Sequence, residues 1–196
     1  MAIKNEKRRQ VSNERYVDAL QERYSKLCVI RNDFGYKKDE NNKVNVTLQD
    51  VKKDINTLLN NSRNNSAYDN MVGYIFKIED GVDKGKHIHA LIFFDGNQVK
   101  NDKFKGDQIG ENWGKITKGR GSYHNCNRNN YKDNATGMLD YRDVEKRRNL
   151  DKAMEYLAKN EQNIDGSNEN EKDRLIRRGT IPKEKSTRGR PRNQLY

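Results

Sequence analysis

Val72-Gly73-Tyr74-Ile75-Phe76-Lys77-Ile78-Glu79, a connection over 80–86, and then His87-Ile88-His89-Ala90-Leu91-Ile92-Phe93-Phe94 form the stretch whose reading decides the fold. Two runs rich in β-branched and aromatic residues flank a segment carrying Gly81 and Gly85, the pattern of an antiparallel hairpin. Side chains alternate along a strand, so His87 and His89 share one face, roughly 6–7 Å apart, while Ile88 points to the other. Closing the hairpin around 80–86 sets Glu79 opposite His87, about 5 Å away between Cβ atoms. Two imidazoles and a carboxylate can hold one divalent ion with positions left open for water or substrate oxygen, a set that suits Mn²⁺, Mg²⁺ or Zn²⁺. His-x-His alone is also compatible with a half-exposed polar strand, and it is the register of Glu79 that turns the reading toward metal.

The segment 144–160 contains no Gly or Pro and repeats apolar residues at Leu150, Ala153, Met154 and Leu157, which predicts an amphipathic helix. Tyr156 falls at the border of that stripe, with Lys152 one turn before and Lys159 one turn after. A phenol is a weak nucleophile at neutral pH because its ordinary pKa is about 10. Neighbouring cations and a nearby metal favour the phenolate, and the same cations stabilise a phosphoryl oxygen under attack. The bland alternative is a border tyrosine that turns its hydroxyl to water.

Around these two segments the pattern predicts a short helix over 14–24, a strand over 26–33 and a helix over 48–59 with Val51, Ile55, Leu58 and Leu59 on one side. A helix ending near Trp113 and a strand near 138–141 follow. Strands interleaved with helices in one chain of 196 residues suggest an α+β fold, a sheet with helices packed against it. Both prolines, Pro182 and Pro191, lie near the end, and 160–170 is poor in apolar residues. The expected organisation is a domain over 1–162 and a basic, flexible tail over 163–196.

With 35% charged residues against 32% apolar and a formal net charge of +11, the chain favours a polyanionic partner. Arg31 on the first strand and Lys146, Arg147, Arg148 and Lys152 on the tyrosine helix are the expected DNA contacts, with Lys115, Lys118 and Arg120 as a second basic group. A membrane surface is a poorer partner, because the basic helix has a narrow stripe without Trp or Phe. No apolar run reaches spanning length and no signal-peptide core is present, so a cytoplasmic location is expected. His124 and Cys126, with Cys28 distant, do not make a structural zinc pattern. Arg188-Gly189-Arg190-Pro191-Arg192 is a basic segment able to enter a minor groove or to act as a nonspecific tail.

His-hydrophobe-His preceded by Glu and followed by Tyr-x-x-Lys on a helix resembles the HUH endonucleases that initiate rolling-circle replication. The blocks Lys86-His87-Ile88-His89, Phe93-Phe94-Asp95-Gly96, Gly110-Glu111-Asn112-Trp113, Tyr123-His124-Asn125-Cys126-Asn127 and Gly137-Met138-Leu139-Asp140-Tyr141 resemble the inovirus-type gene II replication proteins and their prophage-encoded relatives. That resemblance implies Glu79, His87 and His89 as metal ligands for Mg²⁺ or Mn²⁺, Tyr156 as nucleophile and Lys159 as its electrostatic helper. It also implies the antiparallel sheet with the tyrosine helix lying across it. Two-tyrosine relatives place a second Tyr one turn away, where this chain has Lys152, Ala153, Lys159 and Asn160, so a single-tyrosine enzyme is expected. The implied activity is nicking and joining of a single-stranded DNA origin in a bacterial host, through a 5′-phosphotyrosine link. A relaxase or single-strand transposase of the same chemistry, or a DNA-binding regulator that does not cut, are the alternatives. No Gly-x-x-x-x-Gly-Lys-Ser/Thr loop occurs, so helicase action, like polymerisation, must come from host or phage partners.

Overall fold

The 72–94 stretch folds as a hairpin longer than its apolar runs alone suggest. In the computed structural model, which describes residues 2–81, 83–159 and 175–183, β2 (Met71–Gly81) and β3 (Gly85–Asp95) pair antiparallel with Glu79 opposite His87 and Lys77 opposite His89. The strands extend through Asp80 and Lys86 to a Gly81–Gly85 pair, so the connection is shorter than the seven residues expected. Gly85 takes φ +60°, a left-handed conformation open to glycine at little cost, and a Cβ there would meet Val44 Cβ at 2.7 Å.

The hairpin is the centre of an open antiparallel sheet. β1 (Lys26–Tyr36) pairs with β3, and its other edge carries β5 (Gly137–Asp140) along 26–29 and β4 (Gly121–Asn125) along 32–36. The strand order is β4-β1-β3-β2-β6, where β6 is Ile176–Arg178. Among the described residues four helices flank these six strands: α1 (Ala2–Arg23), α2 (Leu48–Asn61), α3 (Asp102–Ile116) and α4 (Val144–Ala158). The fold class is α+β, as the alternation of patterns predicts.

One face packs on α2 and α3. Ile30, Phe34, Ile88, Ala90, Ile92 and Phe94 from the strands meet Val51, Ile55 and Leu58 of α2 and Ile109 and Trp113 of α3. Thr47 and Asp50 form a reciprocal capping box at the start of α2, worth about 1 kcal/mol. The other face packs on α1 and α4, where Tyr16, Val17 and Leu20 join Leu150, Met154 and Leu157 over Leu27, Val29, Ile75, Leu91 and Phe93. Each aliphatic side chain so buried stabilises the fold by about 1.5–3 kcal/mol.

Three elements depart from the sequence reading. α1 begins at Ala2 rather than near 14, since its first turns are built of Lys, Glu, Arg and Gln, good helix formers that carry no apolar stripe. β4 is an edge strand whose middle three residues are exposed, so it lacks the alternation that marks a half-buried strand. β6 lies beyond the domain boundary expected near 162, yet it pairs with 75–77 of β2, and Gly179 N–H donates to Tyr74 O at 3.1 Å. Three residues are too short for any periodicity to register. Residues 160–174 and 184–196, including the basic segment 188–192, lie outside the described residues. No described helix is long and apolar enough to cross a membrane.

Candidate active site

On the face covered by α1 and α4, the three central strands change character at one level. β1 passes from Leu27 and Val29 to Arg31 and Asp33, β2 from Ile75 to Lys77 and Glu79, and β3 from Phe93 and Leu91 to His89 and His87. The register lines the polar residues up across the sheet: Lys77 faces His89, His89 faces Asp33, and Asp33 faces His124 of β4. The helices cover the apolar half, and the polar half forms the site.

Glu79, His87 and His89 are buried, and one donor atom from each lies within 4.8 Å of the others. Both imidazoles are oriented from behind. His87 Nδ1 donates to the Gly85 carbonyl at 2.9 Å, and His89 Nδ1 donates to Asp33 Oδ1 at 2.6 Å. Each Nε2 therefore turns inward, at 3.5 Å (His87) and 3.0 Å (His89) from Glu79 Oε2. An outer acceptor that fixes the tautomer and leaves the inner nitrogen for the ion is how metal-binding histidines are held. The residues fit a divalent cation with two nitrogen donors and one carboxylate oxygen.

The charged groups of the cluster are strongly coupled to one another. Burial opposes ionisation of Glu79, but hydrogen bonds with His87, His89 and Lys77 outweigh it and hold the carboxyl well below the usual range. Asp33 is held low in the same way, against its burial, by His89. Burial works against a charged His89, yet the Asp33 and Glu79 carboxylates prevail and push it up to about 9. Without an ion, the two carboxylates are balanced by His89 and Lys77, and a cation bound at His89 Nε2 would take the place of the proton held there.

Tyr156 stands beside this cluster. Its ring meets the His89 ring edge-on, centroids 5.7 Å apart at 80°, and the residue is 41% exposed. A cavity of about 200 Å³ is lined by Arg31, His89, Leu91, Ala153 and Tyr156. The stripe of Leu150, Met154 and Leu157 is buried as predicted and sets the rotation of α4 that brings Tyr156 to the cavity.

The two lysines expected one turn either side of Tyr156 are placed differently from that spacing. α4 ends at Ala158, and Lys159 is its cap with extended backbone (φ −66°, ψ 149°), so it does not follow Tyr156 by one helical turn. Lys152 pairs with Asp133 at 2.8 Å. The ammonium beside the tyrosine belongs to Lys77 of β2, which is 6% exposed: Nζ lies 5.3 Å from the Tyr156 ring centroid, donates to Tyr156 O at 3.3 Å and pairs with Glu79 Oε1. Of the expected DNA contacts, Arg31 lines the cavity, and its guanidinium carbon is 5.8 Å from the Tyr131 ring centroid. Arg147 is turned to α1, bonded to Asp18 and Gln21 at 2.7 Å each and to Asp151 at 2.9 Å, which makes it a clamp between helices. Lys146 sits beside Gly137 of β5 and Arg148 is exposed; neither lines the cavity.

Lys77 and Asp33 belong to this cluster and were not among the residues expected from sequence. The signal was available, since Lys77 is two residues from Glu79 on the same strand face and Asp33 alternates with Arg31. His124 and Cys126 do not form a second metal site: His124 Nε2 meets Asn129 Nδ2 at 3.0 Å, and burial pushes the Cys126 thiol up to about 11. Among the described residues, Glu79, His87 and His89 are the cluster of three or more such groups close enough to share an ion.

Residues 5–172 match the model of the YagK/YfjJ C-terminal domain, and the chain belongs to that family, which is found in prophage-type proteins. No curated protein and no solved structure matches it.

Proposed function

We propose that this protein is a metal-dependent endonuclease that nicks and rejoins single-stranded DNA, with Tyr156 as the covalent nucleophile, and that it initiates rolling-circle replication of a mobile element in a bacterial host. The observation that carries the reading is the contact of the Tyr156 ring with His89, one of two histidines whose inner nitrogens converge on Glu79. A metal cluster without a nucleophile would suit hydrolysis or structure, and an exposed tyrosine without a metal would be inert.

Glu79, His87 and His89 would hold Mg²⁺ or Mn²⁺, which supplies Lewis-acid polarisation of a phosphodiester oxygen. Arg31 lines the cavity and would pair with a phosphate oxygen bound there. Tyr156 Oη forms a bond to phosphorus, the bond from phosphorus to the 3′-oxygen breaks, the phenol proton is lost, and the departing oxygen takes up a proton to become a 3′-hydroxyl. Lys77 stabilises charge near the phenol and tethers the end of α4 to Glu79. One ester replaces another, so a 3′-hydroxyl can run the reaction backwards and join strands. Lys159, the C-cap of α4, would approach substrate from the chain leaving the helix.

The deciding experiment incubates the protein and Mn²⁺ with labelled single strands from the surrounding replicon and seeks an adduct that survives denaturation. The unaltered chain is expected to give it, Tyr156→Phe to lose it while still binding DNA, and His87→Ala to lose metal-dependent cleavage. Tight binding of duplex without any adduct would instead mark a regulator. A label mapped to another tyrosine, such as Tyr141, would displace Tyr156 from its role.

A further inference from the structure

Arg31 borders two features of the site. On one side it lines the cavity of about 200 Å³ shared by His89, Ala153 and Tyr156. On the other its guanidinium carbon lies 5.8 Å from the centroid of the Tyr131 ring, in the segment that follows β4. The function proposed above uses the first and gives Tyr131 no part.

Tyr131 lies on the sheet face that carries the metal cluster. Arg31 alternates with Val29 and Asp33 on that face, and Asp33 bonds His89. The buried Cys126 thiol interacts with both Tyr131 and Asp33, so a single side chain links Tyr131 to the residue that orients His89. Two residues further on, Asp133 pairs with Lys152 at 2.8 Å, and Lys152 belongs to α4, which covers this face. The segment is therefore tied to both the sheet and α4, with the ring beside Arg31.

The ring is fixed but not covered. Its hydroxyl accepts from Asn129 Nδ2 at 3.2 Å, and the same amide nitrogen meets His124 Nε2 at 3.0 Å, yet Tyr131 is 39% exposed. An aromatic ring held in place beforehand loses little freedom when it takes up a flat partner. A guanidinium both stacks on aromatic planes and pairs with phosphate. Arg31 and Tyr131 thus offer what one nucleotide needs, a surface for the base and a cation for the phosphate next to it. Carboxylates nearby do not oppose this, since Asp33 is paired with His89 and Asp133 with Lys152.

Resting on the nicking function proposed above, we infer that Tyr131 and Arg31 form a stacking subsite for one nucleotide of the bound single strand, with its base on the Tyr131 ring and its phosphate at Arg31, on the wall of the Tyr156 cavity. Stacking tolerates any base, so the subsite holds the strand in place and leaves the reading of sequence to other contacts.

The test measures binding of a fluorescent oligothymidine of about eight nucleotides to the full chain with Mn²⁺ at several salt concentrations. Tyr131→Ala should weaken binding about tenfold at each concentration, the loss of one stacked base, while the slope of log affinity against log salt stays as in the parent, because no phosphate contact is removed. Tyr131→Phe, which keeps the ring, should restore the affinity. Unchanged affinity in Tyr131→Ala, or a Tyr131→Phe protein as weak as Tyr131→Ala, overturns the subsite and leaves the nicking function standing. A slope that falls in Tyr131→Ala also overturns it, since the loss is then one of charge contact and not of stacking. Absence of strand binding by the parent protein overturns the subsite and the nicking function together.

Discussion

The face of the sheet beneath α2 and α3 is apolar along the length of β3, through Ile88, Ala90, Ile92 and Phe94, whereas the opposite face is apolar only at Leu91 and Phe93 and then turns to His89 and His87. The same backbone carries both, so the difference lies in every second side chain. On the first face each residue contributes burial. On the second, the apolar end anchors α1 and α4 and the polar end holds donors that burial alone would expel. A site placed there inherits the rigidity of a strand fixed from behind, which is what converging ligands need.

That contrast can be broken most severely in its apolar half. Phe93→Ala should cost about 3–5 kcal/mol, read as a shift in denaturation midpoint, while His87→Ala should cost far less in metal-free protein. Equal losses would mean that the histidine end is core and not site. The next largest effect is expected at Lys77. It is one member of a buried ion pair with Glu79, and removing one partner strands the other, at about 3 kcal/mol or more. Lys77→Met should therefore destabilise metal-free protein strongly, and Mn²⁺ should recover part of the loss by giving Glu79 another cation. A Lys77→Met protein as stable as the parent would show that Glu79 is not held as an ion.

Metal itself sharpens the comparison. An ion that binds only the folded state raises stability by about 2.7 kcal/mol at a hundredfold excess over its dissociation constant. Thermal unfolding with and without Mn²⁺ should show that gain in the parent and none in His89→Ala. A gain retained by His89→Ala would place the ion elsewhere.

Much of this arrangement was legible because it is local. Period-two alternation fixed the shared face of His87 and His89, and a hairpin closed by two glycines fixed Glu79 opposite His87, so the three-residue cluster followed from sequence spacing alone. The stripe at Leu150, Met154 and Leu157 likewise oriented α4. What stayed hidden was the pairing of distant segments. Asp33 reaches His89 across 56 residues and Lys77 reaches Tyr156 across 79, contacts that no periodicity encodes. Lys159 was misplaced for a related reason: the helix pattern runs on to 160 in sequence, but the apolar stripe that holds α4 to the sheet ends at Leu157, and the backbone turns extended two residues later. β4 and β6 are edge strands of five and three residues, formed by the partner strand they lie against.

The smallest expected effect separates two arginines that sequence treats alike. Arg31 and Arg147 were both expected to contact DNA, but Arg31 lines the Tyr156 cavity while Arg147 bonds Asp18, Gln21 and Asp151 between α1 and α4. Partly exposed ion pairs are worth at most about 1 kcal/mol, so Arg147→Met should lower stability by about that amount and leave the salt dependence of single-strand binding unchanged. Arg31→Ala should leave stability within about 0.5 kcal/mol and reduce the slope of log affinity against log salt by about 0.7, the value for one phosphate contact on a single strand. Both quantities come from denaturation and from binding isotherms at several salt concentrations. If the slope falls for Arg147→Met and not for Arg31→Ala, DNA runs along the helix pair and not across the polar half of the sheet, and the cavity at Tyr156 loses its phosphate.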